Sequence, residues 1–253
     1  MDLLHALLLI GAGIVGGIMS AIAGGAALVT FPALLAAGLS PVVATAVNLT
    51  AVTASLFLAA LYDRAYLPPL DRSFIGMLLV CVFGALIGAV LLLLTPERIF
   101  AAFVPLLLGF ATLLFGYAGP ISAWLSARTM TADGERRHSL AALLPVSVYG
   151  GYFGAGVGVL LLGVLSVGTG GDYRSANVTK NLVVSLNSVT AAVIFASQGV
   201  IAWLPALVLM AGTVMGALIG ARLAQVMPNH AARTLIVVLG ALLTAVFAWR
   251  YWF

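Results

Sequence analysis

Residues 3–39 read LLHALLLIGAGIVGGIMSAIAGGAALVTFPALLAAGL, two apolar runs parted by Gly24-Gly25. The first, Leu3–Ala23, is long enough to cross a bilayer, because about 20 residues at ~1.5 Å each cover ~30 Å of hydrocarbon. The second, Ala26–Leu39, is too short. Glycine weakens a helix and tolerates left-handed geometry. A crossing run, a glycine pair and a run too short to cross therefore predict a broken or re-entrant helix. Irregular backbone at membrane depth must be shielded by protein or line a watery cavity.

Composition extends this to the whole chain. Of 253 residues, 63% are hydrophobic and 7% charged, where a water-soluble domain carries roughly 25% charged residues. The exterior must face lipid. Further apolar runs follow at Val42–Tyr62, Ser73–Leu94 and Phe100–Tyr117, then a polar stretch from Arg128 to His138. Beyond it lie Leu140–Gly158, Val159–Val167, Ser175–Ala196, Ile201–Val226 and Ala231–Trp252. The expectation is an all-α polytopic membrane protein of two related repeats, each with about four transmembrane segments. Residues 1–127 form the first repeat, 128–139 a polar connecting loop and 140–253 the second repeat. Met1-Asp2-Leu3 supplies no basic n-region, so the first run is read as a retained helix rather than a signal peptide.

The order long, short, long, long, long recurs on either side of the polar stretch. Asn48 and Asn181 differ by 133 positions, as do Gly17 and Gly150, Gly25 and Gly158, and Ser55 and Ser188. The hexapeptide from Gly84 to Ala89 returns verbatim from Gly216 to Ala221, and Pro96 and Pro228 share that shift of 132. Basic residues change place between the halves. Arg64 and Arg72 flank one loop of the first, whereas Arg222 and Arg233 flank the following connection of the second. Such an exchange predicts inverted repeats, with Arg128, Arg136 and Arg137 on the cytoplasmic side and both termini outside.

Paired breaks in corresponding helices point to a transporter binding site. Gly24 and Gly25 mark the first, Gly156 and Gly158 the second. The four-residue spacing of Gly84/Gly88 and Gly216/Gly220 instead suits close helix packing, as does that of Gly13/Gly17 and Gly150/Gly154. Thr45 and Asn48, and Thr179, Lys180 and Asn181, lie a short way into long apolar helices. Amides there must find partners and a lysine costs more. Asn48 and Asn181 have donors for an oxyanion, or brace the broken helices. Lys180 either balances an anion's charge or snorkels to the interface. Thr50, Ser55, Ser185 and Asn187 are further neutral donors. Asp63, Asp71 and Asp172 sit at segment ends, so the apolar segments hold no buried carboxylate, which favours an anionic or neutral substrate. Helix N-termini at the breaks favour an anion too.

The glycine-broken first helix, Phe31-Pro32-Ala33-Leu34 with Gly38 and Pro41, then Thr45 through Asn48, is repeated as Gly150–Gly158 and Thr179–Asn181. This pattern resembles the TauE/SafE sulfite exporter family along nearly the whole chain. The resemblance implies transport of sulfur-containing anions such as sulfite or sulfonates, as export linked to an ion or substrate gradient. It also implies a multi-pass protein of the bacterial inner membrane. Two departures, Ala23-Gly24-Gly25 for a fuller G-x-G-G and Ala46-Val47 between Thr45 and Asn48 where an adjacent Thr-Asn is usual, together with Arg174 where the first repeat has Pro41, leave the anion open.

The expected partners are a small anionic substrate and the bilayer, with a homodimer left open. Nucleic acid is excluded because the basic residues are dispersed among connections. No cofactor and no metal are expected. A channel, or a carrier of another organic anion, is the first alternative. An intramembrane protease ranks lower, and the chain is read as no enzyme: Asp63 and Asp172 stand beside arginines at segment ends, and His5, His138 and His230 occupy termini or loops.

Overall fold

The computed structural model describes residues 2–23, 25–117, 119–120, 135–168, 172–223 and 229–252. In hydrocarbon a backbone must satisfy its own polar groups, which leaves helices or closed barrels, and among the described residues no strand occurs. The first half contains α1 (Leu3–Ala23), α2 (Ala27–Ala36), α3 (Pro41–Tyr62), α4 (Arg72–Leu94) and α5 (Glu97–Gly116). The second contains α6 (Glu135–Tyr152), α7 (Val157–Gly168), α8 (Tyr173–Ser197), α9 (Trp203–Leu223) and α10 (Asn229–Trp252). Pro41 opens α3, and Asp71 caps α4 by accepting the Phe74 N–H at 2.7 Å. Asp172 likewise caps α8, accepting from the Arg174 N–H at 3.0 Å. These aspartates thus terminate helices, as their sequence positions suggested.

Six helices are long and apolar enough to span: α1, α3, α4, α5, α8 and α9. Helices α2 and α7, at 10 and 12 residues, are the two short ones expected. Exposed Phe83, Val193 and Leu218 belong to an outer surface suited to lipid. In the spanning windows of α3 and α8, 61% of residues are buried, against 28% to 44% in the other four, so α3 and α8 form the centre.

Small residues set how the bundle closes. Helix α1 packs along α9, and α6 along α4. A Cβ on Gly13 would lie 2.8 Å from the Leu209 carbonyl oxygen, and one on Gly220 2.7 Å from Ile18 Cα. Residue numbers rise together along this crossing, so α1 and α9 run parallel. At the other crossing Gly84 abuts Leu144 and Gly88 abuts Val148, again parallel. The packing role expected for Gly84, Gly88, Gly216 and Gly220 is what the structure contains.

The contacts also correct the sequence matches. Gly84 and Gly88 meet Leu144 and Val148, while Gly216 and Gly220 meet Ile14 and Ile18. From 14 to 144 and from 18 to 148 the shift is 130, so Gly17 and Gly150, matched at 133, do not occupy equivalent contacts. Gly17 abuts the Thr213 carbonyl, whereas Gly150 faces Val157 and Asn187 and Gly151 makes the close approach to Ala85. The polar stretch around Arg128, the side chains of Arg136 and Arg137, and Pro228 lie outside the described residues.

At the centre α3 and α8 run antiparallel. Asp63, which ends α3, accepts from Arg174 at the start of α8 at 3.2 Å, and the Arg174 guanidinium lies 3.9 Å from the Tyr66 ring centroid. With Arg174 58% exposed, this pair adds at most ~1 kcal/mol.

Gly216→Val forces a side chain into the Ile14 backbone and should destabilise by about 1–3 kcal/mol. Gly76→Ala, where a Cβ meets nothing within 4 Å, should not destabilise. Cys81 is the single cysteine and fully buried, so its thermal exposure to a thiol-reactive dye in detergent reads both variants.

Candidate functional site

The two helix breaks carry their own local solutions. At the second, the chain leaves α6 through Phe153 and Gly154, the latter with φ +79°, and the Gly154 N–H donates back to the Tyr149 carbonyl at 3.2 Å. This closure requires the left-handed backbone that glycine alone adopts cheaply. The Tyr149 hydroxyl then donates to the Ala155 carbonyl at 2.6 Å, partnering backbone that the break leaves outside any helix. Gly156, φ +78°, turns against Ala111 of α5.

At the first break the Ala26 carbonyl accepts from the Val29 and Thr30 N–H groups at 3.0 Å and from the Thr30 hydroxyl at 2.9 Å. The Thr30 oxygen also contacts the Asn48 side-chain amide. One hydroxyl proton cannot serve two acceptors. Turning the amide so that its nitrogen donates to Thr30, while Thr30 donates to Ala26, satisfies both. Asn48 therefore braces α2 against α3. Phe31 of α2 packs edge-on against Phe153, which precedes Gly154, with centroids 5.1 Å apart, and this holds the two breaks together.

Between them lies a cavity of about 40 Å³, where one water needs at least ~10–15 Å³. The first half contributes Ser20, Ala26, Ala27 and Asn48, with Leu49, Val52 and Leu56. The second contributes Gly150, Gly154, Val157, Gly158, Lys180, Val184, Asn187 and Ser188. Both breaks border it, and so do the N-terminal residues of α2 and α7, where helix dipoles place partial positive charge. A larger cavity of about 460 Å³ lies between the start of α1, the end of α2 and the start of α9. Its lining is apolar except for His5.

Lys180 is buried, 6% exposed, so it does not snorkel. Its ammonium donates to Asn177 Oδ1 at 2.8 Å. Nearby, Asn187 Oδ1 and Nδ2 and the Ser188 hydroxyl are buried without a hydrogen-bond partner, as are the hydroxyls of Thr179 and Ser185. Unpartnered polar atoms in a protein interior cost about 1–3 kcal/mol each. Of these, Asn187 and Ser188 border the cavity.

Of the residues singled out from sequence, Asn48, Lys180 and Gly158 border this cavity. Asn181, Thr45, Thr179, Ser55, Gly25 and Gly156 do not. Thr45 and Ser55 turn back onto their own helix, donating to the Pro41 and Val52 carbonyls. Gly25 and Asn181 are buried beside the cavity's elements without lining it. Gly24 lies outside the described residues. Gly158 falls inside α7 rather than at the break. Sequence reasoning missed Ser20 and Ser188 as lining residues and ranked Asn187 only as a spare donor. Helical spacing was the available signal: positions 177, 180, 184, 187 and 188 share one face of α8.

The profile described as Sulfite exporter TauE/SafE matches residues 9–247. The chain belongs to the TauE/SafE family. This TauE/SafE protein is 28% identical to a "Probable membrane transporter protein" of Haemophilus influenzae, over 92% of this chain and 90% of the relative. It is 26% identical to the "Probable membrane transporter protein YfcA" of Escherichia coli, over 90% of this chain and 84% of that protein. A third relative, the "Probable membrane transporter protein ORF9" of Sinorhizobium, is 28% identical over 90% of this chain and 86% of the relative. No solved structure matches the chain. With its spanning helices, the chain is a multi-pass membrane transporter. Helical spans of this kind belong to the bacterial inner membrane, the outer one being crossed by β-barrels.

Thr30→Val strips the Asn48 amide of its hydroxyl partner and should cost about 1–3 kcal/mol. Thr30→Ser keeps the hydroxyl and should recover most of that loss. Cys81 dye exposure on heating distinguishes the two.

Proposed function

We propose that this TauE/SafE protein exports a small sulfur-containing anion, such as sulfite or an organosulfonate, by alternating access driven by an ion or substrate gradient. The single observation that carries it is the buried Lys180 ammonium at a cavity where two broken helices meet. A charge so enclosed is costly unless paired. Asp63 pairs with Arg174 at an exposed helix end, away from this cavity. An anion arriving in the cavity pairs Lys180 and meets Asn48 and the helix N-termini.

Alternating access needs two halves able to exchange roles. In support, the main helix pairs map onto themselves when the halves are swapped: α1 with α9 and α6 with α4, α3 with α9 and α8 with α4, α3 with α8, α5 with α10. The antiparallel course of α3 and α8 suits halves of opposite orientation. Each broken helix is mounted on a helix of the other half, so a shift between halves alters the cavity. A channel for the same anion is the second reading, favoured by the cavity's position between the halves. Saturation and counterflow separate carrier from channel.

In proteoliposomes of the purified protein, Lys180→Met should reduce sulfite flux about 30-fold or more, since it removes a buried charge partner. The variant should stay folded, because replacing a buried charge by an apolar chain is often neutral or stabilising. Asn181→Ala, at a position that does not line the cavity, should keep flux within a few-fold of the unaltered protein. Undiminished flux in Lys180→Met removes the cavity from the mechanism.

A further inference from the structure

We propose that the cavity selects a singly charged oxyanion that also bears a hydrogen-bond donor, and that Asn187 reads the donor. The proposal rests on the anion reading above and narrows its substrate class.

Charge comes first. Among the residues lining the cavity, Lys180 is the one ionisable side chain, and its partner is the neutral amide of Asn177. A single negative charge neutralises it. A dianion would leave an unpaired charge in a buried site, which is strongly unfavourable.

Hydrogen bonding supplies the second criterion. Asn187 is 2% exposed and neither of its amide atoms has a partner. Whichever way the amide is turned, it presents one donor group and one acceptor. The Ser188 hydroxyl, 1% exposed, is also unpartnered. Lys180, Ser188 and the Asn187 nitrogen can all donate to anion oxygens. The Asn187 oxygen cannot: with no protein donor on it, it favours a guest that brings its own N–H or O–H. Asn48 differs, because its amide is engaged with Thr30. A protonated oxyanion such as hydrogensulfite, or an amino- or hydroxy-substituted sulfonate, meets both criteria. Sulfate fails on charge and simple alkyl sulfonates fail on the donor.

Sulfamate, methanesulfonate and sulfate are nearly the same size and differ by one donor or one charge. Their ³⁵S-labelled uptake into proteoliposomes of the full chain tests the proposal. Sulfamate should enter about 10-fold faster than methanesulfonate, the usual scale for leaving a buried acceptor unmet. Sulfate should stay at the protein-free background. Asn187→Leu, close in shape and without the acceptor, should bring sulfamate and methanesulfonate to equal rates. Equal handling of the two by the unaltered protein, or preferred uptake of sulfate, overturns the proposal and leaves anion transport standing. Failure to move any of these anions or sulfite sinks both. Should Asn187→Leu not be recovered folded, the selectivity of the unaltered protein alone decides.

Discussion

Hydrocarbon offers no partner to an open backbone group or to a charge, and every irregular feature of this chain is placed by that constraint. At the breaks after α1 and α6 several backbone groups find local partners. Tyr149 partners the Ala155 carbonyl, Gly154 folds back on α6, and Thr30 links the Ala26 carbonyl to the Asn48 amide. Lys180, buried with a neutral partner, and the unpartnered Asn187 and Ser188 meet at one cavity. Incomplete pairing in so expensive a medium is where a guest gains most.

The glycine crossings turn this local chemistry into a mechanical arrangement. Side-chain-free contacts at Gly13, Gly84, Gly88 and Gly216 bring α1 onto α9 and α4 onto α6 at backbone distance. Such close-packed surfaces are rigid, since no side chain is available to give way. The interrupted helix of each half is therefore carried by the opposite half. The exposed Arg174–Asp63 contact adds charge pairing between α3 and α8, and it is weak.

Much of the site was legible, though unevenly. Glycine runs at 24–25 and 154–158 marked the breaks because backbone conformation is a local property. Lys180 drew attention because a lysine inside an apolar run is expensive wherever it points. Asn48 was legible for the same reason, although its amide proves to brace α2 as well as border the cavity. Asn181 was matched to it by position, yet α8 turns Lys180, Val184, Asn187 and Ser188 to the cavity and not Asn181. Gly156 looked like a cavity residue and packs on α5 instead. The matched pair Gly17 and Gly150 failed because the chain from the short helix to the next long one is longer in the second half, 157 to 173 against 27 to 41, so α1 and α6 relate by 130 rather than 133.

Composition and run lengths by themselves determined an all-helical protein in lipid with two short, interrupted segments, because solvation and helix geometry act on each segment separately. Which polar groups share a cavity was decided only by the tertiary structure. On a buried helix such as α8, polar residues face several neighbours, and only packing distinguishes Asn187 from Asn181. The direction of α3 against α8 and the pairing of each broken helix with the opposite half are likewise products of long-range contact.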